Sequence, residues 1–241
     1  MPEPSTPPIV LLHAVDSTQR VAFGLAESGA PDRTVVVADT QTAGRGRHGR
    51  TWCDEPGDSL LTSIVVRPRL SVRDLPKLSL ASAVAVAEAI GTVTGLAVRL
   101  KWPNDVLVNG RKLAGILLES RITAEPIVVV GIGINLRQQA FPAALSAIAT
   151  SVRLEGGRRV ERDAMLDAAL AAFDVWRGRL EREGFAPLRA RWLELADTIG
   201  RSVTVGEHAG VAVDLDPEGA LVLLHAQGQS HVVAGELAEH R

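Results

Sequence analysis

The sequence predicts an α+β fold: a mixed β-sheet packed against helices, followed by a small all-β unit. Three observations carry this prediction. Short β-rich runs alternate with longer helical stretches through the first 196 residues. An Asn-Gly pair between two apolar runs marks a hairpin. Past Gly200 the pattern changes to short alternating runs separated by turn signals.

In order, residues 1–8 carry four prolines and read as a loose tail, with no apolar core of a signal peptide. Residues 9–12 form a short strand, and Asp16-Ser17-Thr18 supplies caps for a helix over 19–27. Residues 34–38 are a buried strand that leads into a loop rich in glycine and arginine. Residues 59–67 form the next strand, stopped by Pro68. A long Ala/Val/Leu-rich helix lies within 74–94, its small residues allowing close packing. Residues 96–100 are a strand broken by Pro103, which offers no backbone donor. Residues 106–108 and 112–119 are the arms of the hairpin, because Asn109-Gly110 supplies the positive φ angles of a type I′ turn. Residues 127–134 are an apolar strand, and 136–150 an irregular connection. A helix over 161–181 places Met165, Ala169, Phe173, Trp176 and Leu180 on one face, and a second spans 187–196. Strands at 202–205, 211–215, 220–224 and 231–233 then describe a small barrel or sandwich, with the boundary near residue 197.

The chain has 241 residues, 26 basic against 28 acidic side chains, and a formal charge of −2. Such a balance argues against a general nucleic-acid or membrane-surface role, which calls for a basic face. The single Cys53 cannot form an internal disulfide, in keeping with a reducing, cytoplasmic setting. Apolar runs fall short of the roughly 20 residues that span a bilayer.

The most informative stretch is Gln41-Thr42-Ala43-Gly44-Arg45-Gly46-Arg47-His48-Gly49-Arg50-Thr51-Trp52. Arginine offers a planar, charged fork that suits carboxylate and phosphate, and glycine brings backbone amides close to an anion. Gly44, Gly46 and Gly49 form a GxGxxG pattern, but Trp52 to Gly57 is no helix start, so this is not a dinucleotide fingerprint. Three like-charged arginines among glycines predict a loop that is mobile until an anion arrives. Lys101-Trp102-Pro103-Asn104-Asp105 reads either as a packed turn or as an amide and a carboxylate offered to Mg²⁺. Lys112 shares its strand with Gly115, which permits close approach of a ligand. Gly131-Ile132-Gly133-Ile134-Asn135 ends the next strand. The six histidines show no HExxH spacing and no CxxC exists, so no catalytic zinc is expected.

Taken in order, Ser17-Thr18, the Gly/Arg loop, Lys101 to Asp105, Arg111-Lys112-Leu113-Ala114-Gly115-Ile116-Leu117 and Gly131 to Asn135 strongly resemble the biotin protein ligases. The resemblance runs from about Leu11 to the C-terminus and is to the form without an N-terminal DNA-binding domain. It implies a class II tRNA synthetase-like catalytic domain over 9–196 and an SH3-like β-barrel over 197–241. It implies ATP and biotin as substrates with Mg²⁺, biotinyl-5′-AMP as intermediate, and a lysine of a biotin carboxyl carrier domain as acceptor. By the same resemblance Lys112, Arg45 and Arg47 are catalytic. Ser17, Thr18, Gln19, Gln41, Arg45, Gly46, Arg47, Lys112, Gly115 and Gly133 bind biotin. Arg47, Arg50, Trp52, Asn104, Asp105, Lys112 and Asn135 serve the ATP side, with Trp52 on adenine and Asp105 on the metal. Gln19 departs from the family's Ser-Thr-Asn, adding one methylene to the amide. The alternatives are a lipoate–protein ligase, which shares the adenylation logic, and a biotinyl-AMP-responsive regulator. No nucleic acid or membrane partner is expected, and the protein is read as a monomer or weak homodimer.

Overall fold

A computed structural model describes residues 7–122 and 126–239; residues 1–6 of the predicted 1–8 tail lie outside them. Two sheets organise the chain. The first has seven strands in the order β1-β2-β3-β7-β6-β5-β4: β1 Ile9–Val15, β2 Val35–Gln41, β3 Ser59–Val66, β4 Arg99–Lys101, β5 Asp105–Val108, β6 Arg111–Arg121 and β7 Ile127–Asn135. Only β1–β2 is parallel, and every other neighbour pairs antiparallel, so the sheet is mixed as predicted. The Asn109-Gly110 turn joins β5 to β6 with φ of 50° and 74°, as a type I′ turn requires.

Helix α1 (Thr18–Glu27) lies on one face, where Ala22, Phe23 and Ala26 meet Val36, Val65 and Val129. Helices α2 (Lys77–Thr94), α3 (Arg162–Glu183) and α4 (Phe185–Leu195) cover the other face. Thirteen α2 residues are buried, in line with its small side chains. By length and mean hydropathy of 1.3 this helix could cross a membrane, yet 72% of it is buried within the protein. It starts at Lys77 rather than near Asp74 because residues 72–74 form a separate tight turn before Pro76.

The second sheet is a five-stranded antiparallel one, ordered β11-β10-β9-β8-β12: β8 Ser202–Val205, β9 His208–Leu215, β10 Leu221–His225, β11 Gly228–Val232 and β12 Leu237–Glu239. The last strand escapes sequence reading because three residues carry no period. At the junction, Asp197 N–H donates to Leu100 O (2.8 Å) and Trp102 N–H to Thr198 Oγ1 (2.9 Å), fixing the connection against β4.

Arg177 locks α3 to the sheet. It is buried, donates to both Asp32 oxygens (3.0 and 2.8 Å), and donates to Glu181 Oε1 (2.9 Å) and Arg67 O (3.1 Å). Removing one partner of a buried ion pair costs about 3 kcal/mol or more. Arg177→Met is therefore expected to lower the melting temperature by about 6–12 °C for a domain of this size, measured by calorimetry. A shift under about 2 °C would contradict the assignment.

Candidate functional site

Helix α1 covers only part of its face of the sheet. Beyond the N-terminus of α1 the uncovered part is a narrow cleft of about 60 Å³, crowded by the Trp52 indole and the Lys112 stem against Gly133 and Gly115. Its walls come from Ser17, Thr18 and Gln19 at the helix start, Gln41 at the end of β2, and Arg45, Gly46, Arg47 and Trp52 of the loop. Asn104 on the Pro103 turn, Lys112, Gly115 and Leu117 on β6, and Gly131 and Gly133 on β7 complete it. Most residues predicted for the site therefore meet in one place, although their segments lie up to about a hundred positions apart.

One end is neutral and rich in hydrogen bonds. Thr18 N–H and its hydroxyl both donate to Gln41 Oε1 (2.8 and 3.1 Å). Thr18 and Ser63 hydroxyls lie 2.8 Å apart, and Ser63 donates to Gln19 Oε1 (3.1 Å). Gln19 Nε2 donates to Leu117 O and Val129 O (3.3 and 3.1 Å). The longer side chain thus spends its donors on two strands and keeps only its carbonyl oxygen turned toward the pocket side chains. Ser17 Oγ is buried and has no protein partner; such a group costs about 1–3 kcal/mol until a ligand satisfies it.

The other end is cationic. Lys112 Nζ lies 2.6 Å from Asp105 Oδ1 and 5.7 Å from the Trp52 ring centroid. Arg47 donates to Asn104 Oδ1 (3.2 Å), and Asn104 Nδ2 donates to Ile116 O (2.6 Å). Burial disfavours the Arg47 charge, Asp105 supports it and Arg50 opposes it, with the balance lowering its pKa. A guanidinium so placed gains from an incoming anion. Arg45 crosses to Glu119 on β6 (2.7 Å), so Arg45 and Arg47 tie the loop to β6 and to the Pro103 turn. Its own backbone closes with Gly46 N–H to Arg50 O (2.7 Å) and Trp52 N–H to Gly44 O (3.0 Å).

Trp52 joins the two ends. A Cβ built on Gly133 would lie 2.6 Å from the indole, and one on Gly115 would meet Lys112 Cε at 2.9 Å and Trp52 at 3.1 Å. The clearance read as ligand approach at these glycines is in fact taken by the indole and the lysine stem. Trp52 Nε1 is buried without a partner, so it too holds an unspent donor.

Two expected site residues, Asn135 and Arg50, are placed elsewhere. Asn135 is buried and donates to Thr150 O (2.9 Å), holding the 136–150 connection rather than lining the cleft. Arg50 points out of the loop and pairs with Glu236, just before β12. Asp105 stays at the cationic end, engaged by Lys112, and among the described residues no group of three or more His, Cys, Asp or Glu is placed to hold a metal. Conversely, sequence reading missed Ser63 and Glu119. The available signal was a polar Thr62-Ser63 pair inside the apolar run of β3.

The model of the biotin/lipoate A/B protein ligase family matches residues 11–135. The biotin–[acetyl-CoA-carboxylase] ligase of Paracoccus denitrificans is 38% identical over 238 residues, covering 94% of this chain and 98% of that one. The bifunctional ligase/repressor BirA of Bacillus spizizenii is 35% identical, covering 95% of this chain and 73% of that protein. The biotin protein ligase of Aquifex aeolicus, solved with biotin and ATP, superposes with a TM-score of 0.85 at 29% identity, covering 97% and 99% of the two chains. A cleft with a neutral hydrogen-bonding end and a cationic end, on this sheet and in this sequence context, places the chain in the biotin/lipoate A/B protein ligase family.

Proposed function

We infer that the chain is a biotin–protein ligase. It activates biotin with ATP and transfers the biotinyl group to a lysine of a protein acceptor. The observation that carries this reading is the continuity of the cleft: one wall of neutral hydrogen-bonding groups and one of cations, bridged by Trp52. A ligand with a polar neutral head, an apolar body and an anionic tail matches that sequence of surfaces.

In the first step a biotin carboxylate oxygen attacks the α-phosphorus of ATP. The bond to the β-phosphate oxygen breaks and pyrophosphate leaves. In the second, an acceptor amine attacks the acyl carbon, AMP departs and an amide forms. Both steps concentrate negative charge in a confined site, where fixed cations act most strongly. Ser17, Thr18, Gln19 and Gln41 are assigned to the ureido head, and Gly46, Arg45 and Arg47 to the closing loop. Lys112 is assigned to the reacting carboxylate and α-phosphate. Asn104 acts by orienting Arg47, and Trp52 separates the biotin and adenine surfaces. Mg²⁺ would be held mainly by the nucleotide phosphates, whose charge it would offset.

The same reading takes 9–196 as a class II synthetase-like catalytic domain and 197–241 as an SH3-like barrel, supported by the separate five-stranded sheet. A biotin carboxyl carrier domain is the proposed acceptor, in the cytoplasm, for a monomer or weak homodimer.

ATP–pyrophosphate exchange tests the substrate. Biotin is expected to support exchange at least about 100-fold better than lipoate, because lipoate leaves the buried polar end unpaired. Faster exchange with lipoate would overturn the assignment.

A further inference from the structure

The backbone of Lys112 is held from both sides. On one side is β5, where Leu107 is its register partner. On the other side runs the segment 148–150, which belongs to no helix or strand. Lys112 N–H donates to Ile148 O and Thr150 N–H donates to Lys112 O, each at 2.8 Å, with Ala149 bridged alongside in parallel. A segment without a ladder of its own needs other anchors to hold a catalytic residue steady.

One carboxylate supplies them. The Glu155 side chain is only 3% exposed. Its Oε1 accepts from the Thr150 hydroxyl (2.6 Å) and from Arg111 Nη2 (2.7 Å), and its Oε2 from Asn109 Nδ2 (2.7 Å). Burial pushes the Glu155 carboxyl up, but the Thr150 and Asn109 hydrogen bonds and the Arg111 charge outweigh it, leaving its pKa below the ordinary range. Glu155 thereby ties together the turn that aims β6, the residue before Lys112, and the residue bonded to the Lys112 carbonyl. It is not among the residues lining the cleft.

We propose that Glu155 is a positioning residue for Lys112, setting the lysine's backbone by clamping the β5–β6 turn and the 148–150 segment at once. The proposal rests on the ligase reading above and on Lys112 acting at the reacting phosphate. Misplacing a catalytic group by about 1 Å can cost about 100-fold in rate, so a loosened clamp is expected to register in the chemical step.

The test measures single-turnover biotinyl-adenylate formation by the full chain carrying Glu155→Gln. That substitution keeps the shape but replaces one acceptor with a donor facing Asn109 or Arg111. The first-order rate is expected to fall about 10-fold, with the biotin KM changed less than about twofold. In a Lys112→Ala background the same substitution should change the residual rate less than about twofold, because residues acting through one group are not additive. Thr150→Val, which removes one donor at constant volume, should show a smaller loss, about threefold, with the same non-additivity; it serves if Glu155→Gln does not fold. An equal loss in both backgrounds, or no loss in a folded variant, overturns the proposal. A wild-type chain that releases no pyrophosphate with biotin overturns the ligase reading instead.

Discussion

Lys112→Ala is expected to slow biotinyl-adenylate formation by about 100- to 1,000-fold, the usual effect of removing one preorganised group from developing negative charge. The ammonium sits at the cationic end of the cleft, against Trp52 and within 2.6 Å of Asp105. Two effects add when it is lost. The reacting carboxylate and phosphate lose a fixed positive charge, and the Asp105 carboxylate is left facing them. Asp105→Asn in the Lys112→Ala background should therefore restore part of the rate, which separates the two contributions. The fold should be little affected, because a pair with both side chains about a third or a quarter exposed contributes at most about 1 kcal/mol. Single-turnover pyrophosphate release and calorimetry measure both quantities. Near-normal release from Lys112→Ala would remove the lysine from the mechanism.

Gly133→Ala is the second substitution with a large expected effect. It adds one methyl group on an inner strand, where alanine is tolerated by the backbone. That methyl would lie 2.6 to 3.1 Å from three atoms of the Trp52 indole, well inside van der Waals contact of about 3.5 Å. The ring must move by close to 1 Å. Trp52 N–H is bonded to Gly44 O, so the loop that carries Arg45 and Arg47 moves with it. The expected outcome is a rise of about 10- to 100-fold in KM for biotin and ATP, with the melting temperature unchanged. In a Trp52→Ala background the clash has no partner, and Gly133→Ala should then add less than about twofold. Unchanged KM values in the single variant would show that the indole does not need this floor.

Much of the fold was legible from local chemistry. The hairpin was announced by Asn109-Gly110, because only certain residues take two successive positive φ angles. The α3 face from Met165 to Leu180 followed from its period, and those residues are buried. Elements that draw their stability from neighbours were less legible. β12 exists by pairing with β8, and β1 extends to Val15 by pairing along β2, neither of which a run of residues announces.

The site divides in the same way. Residue types marked the Gly/Arg loop as an anion site, Lys112 as a strand lysine beside a glycine and Ser17-Thr18 as a helix start; the family resemblance of their order is what joined the three in one expected pocket. Contact partners were decided by the tertiary structure. Asn135 turned to Thr150, Arg50 to Glu236, and the glycines' open space received Trp52. Glu155 carried no signal in its own neighbourhood, yet it reaches Asn109, Arg111 and Thr150 together. The sequence by itself determined which chemistry was available: cations, amides, hydroxyls and flexible turns in a family-specific order. Only the tertiary structure decided which of those groups face the cleft and which hold it in shape, because burial and hydrogen-bond pairing depend on distances between segments that the chain order does not contain.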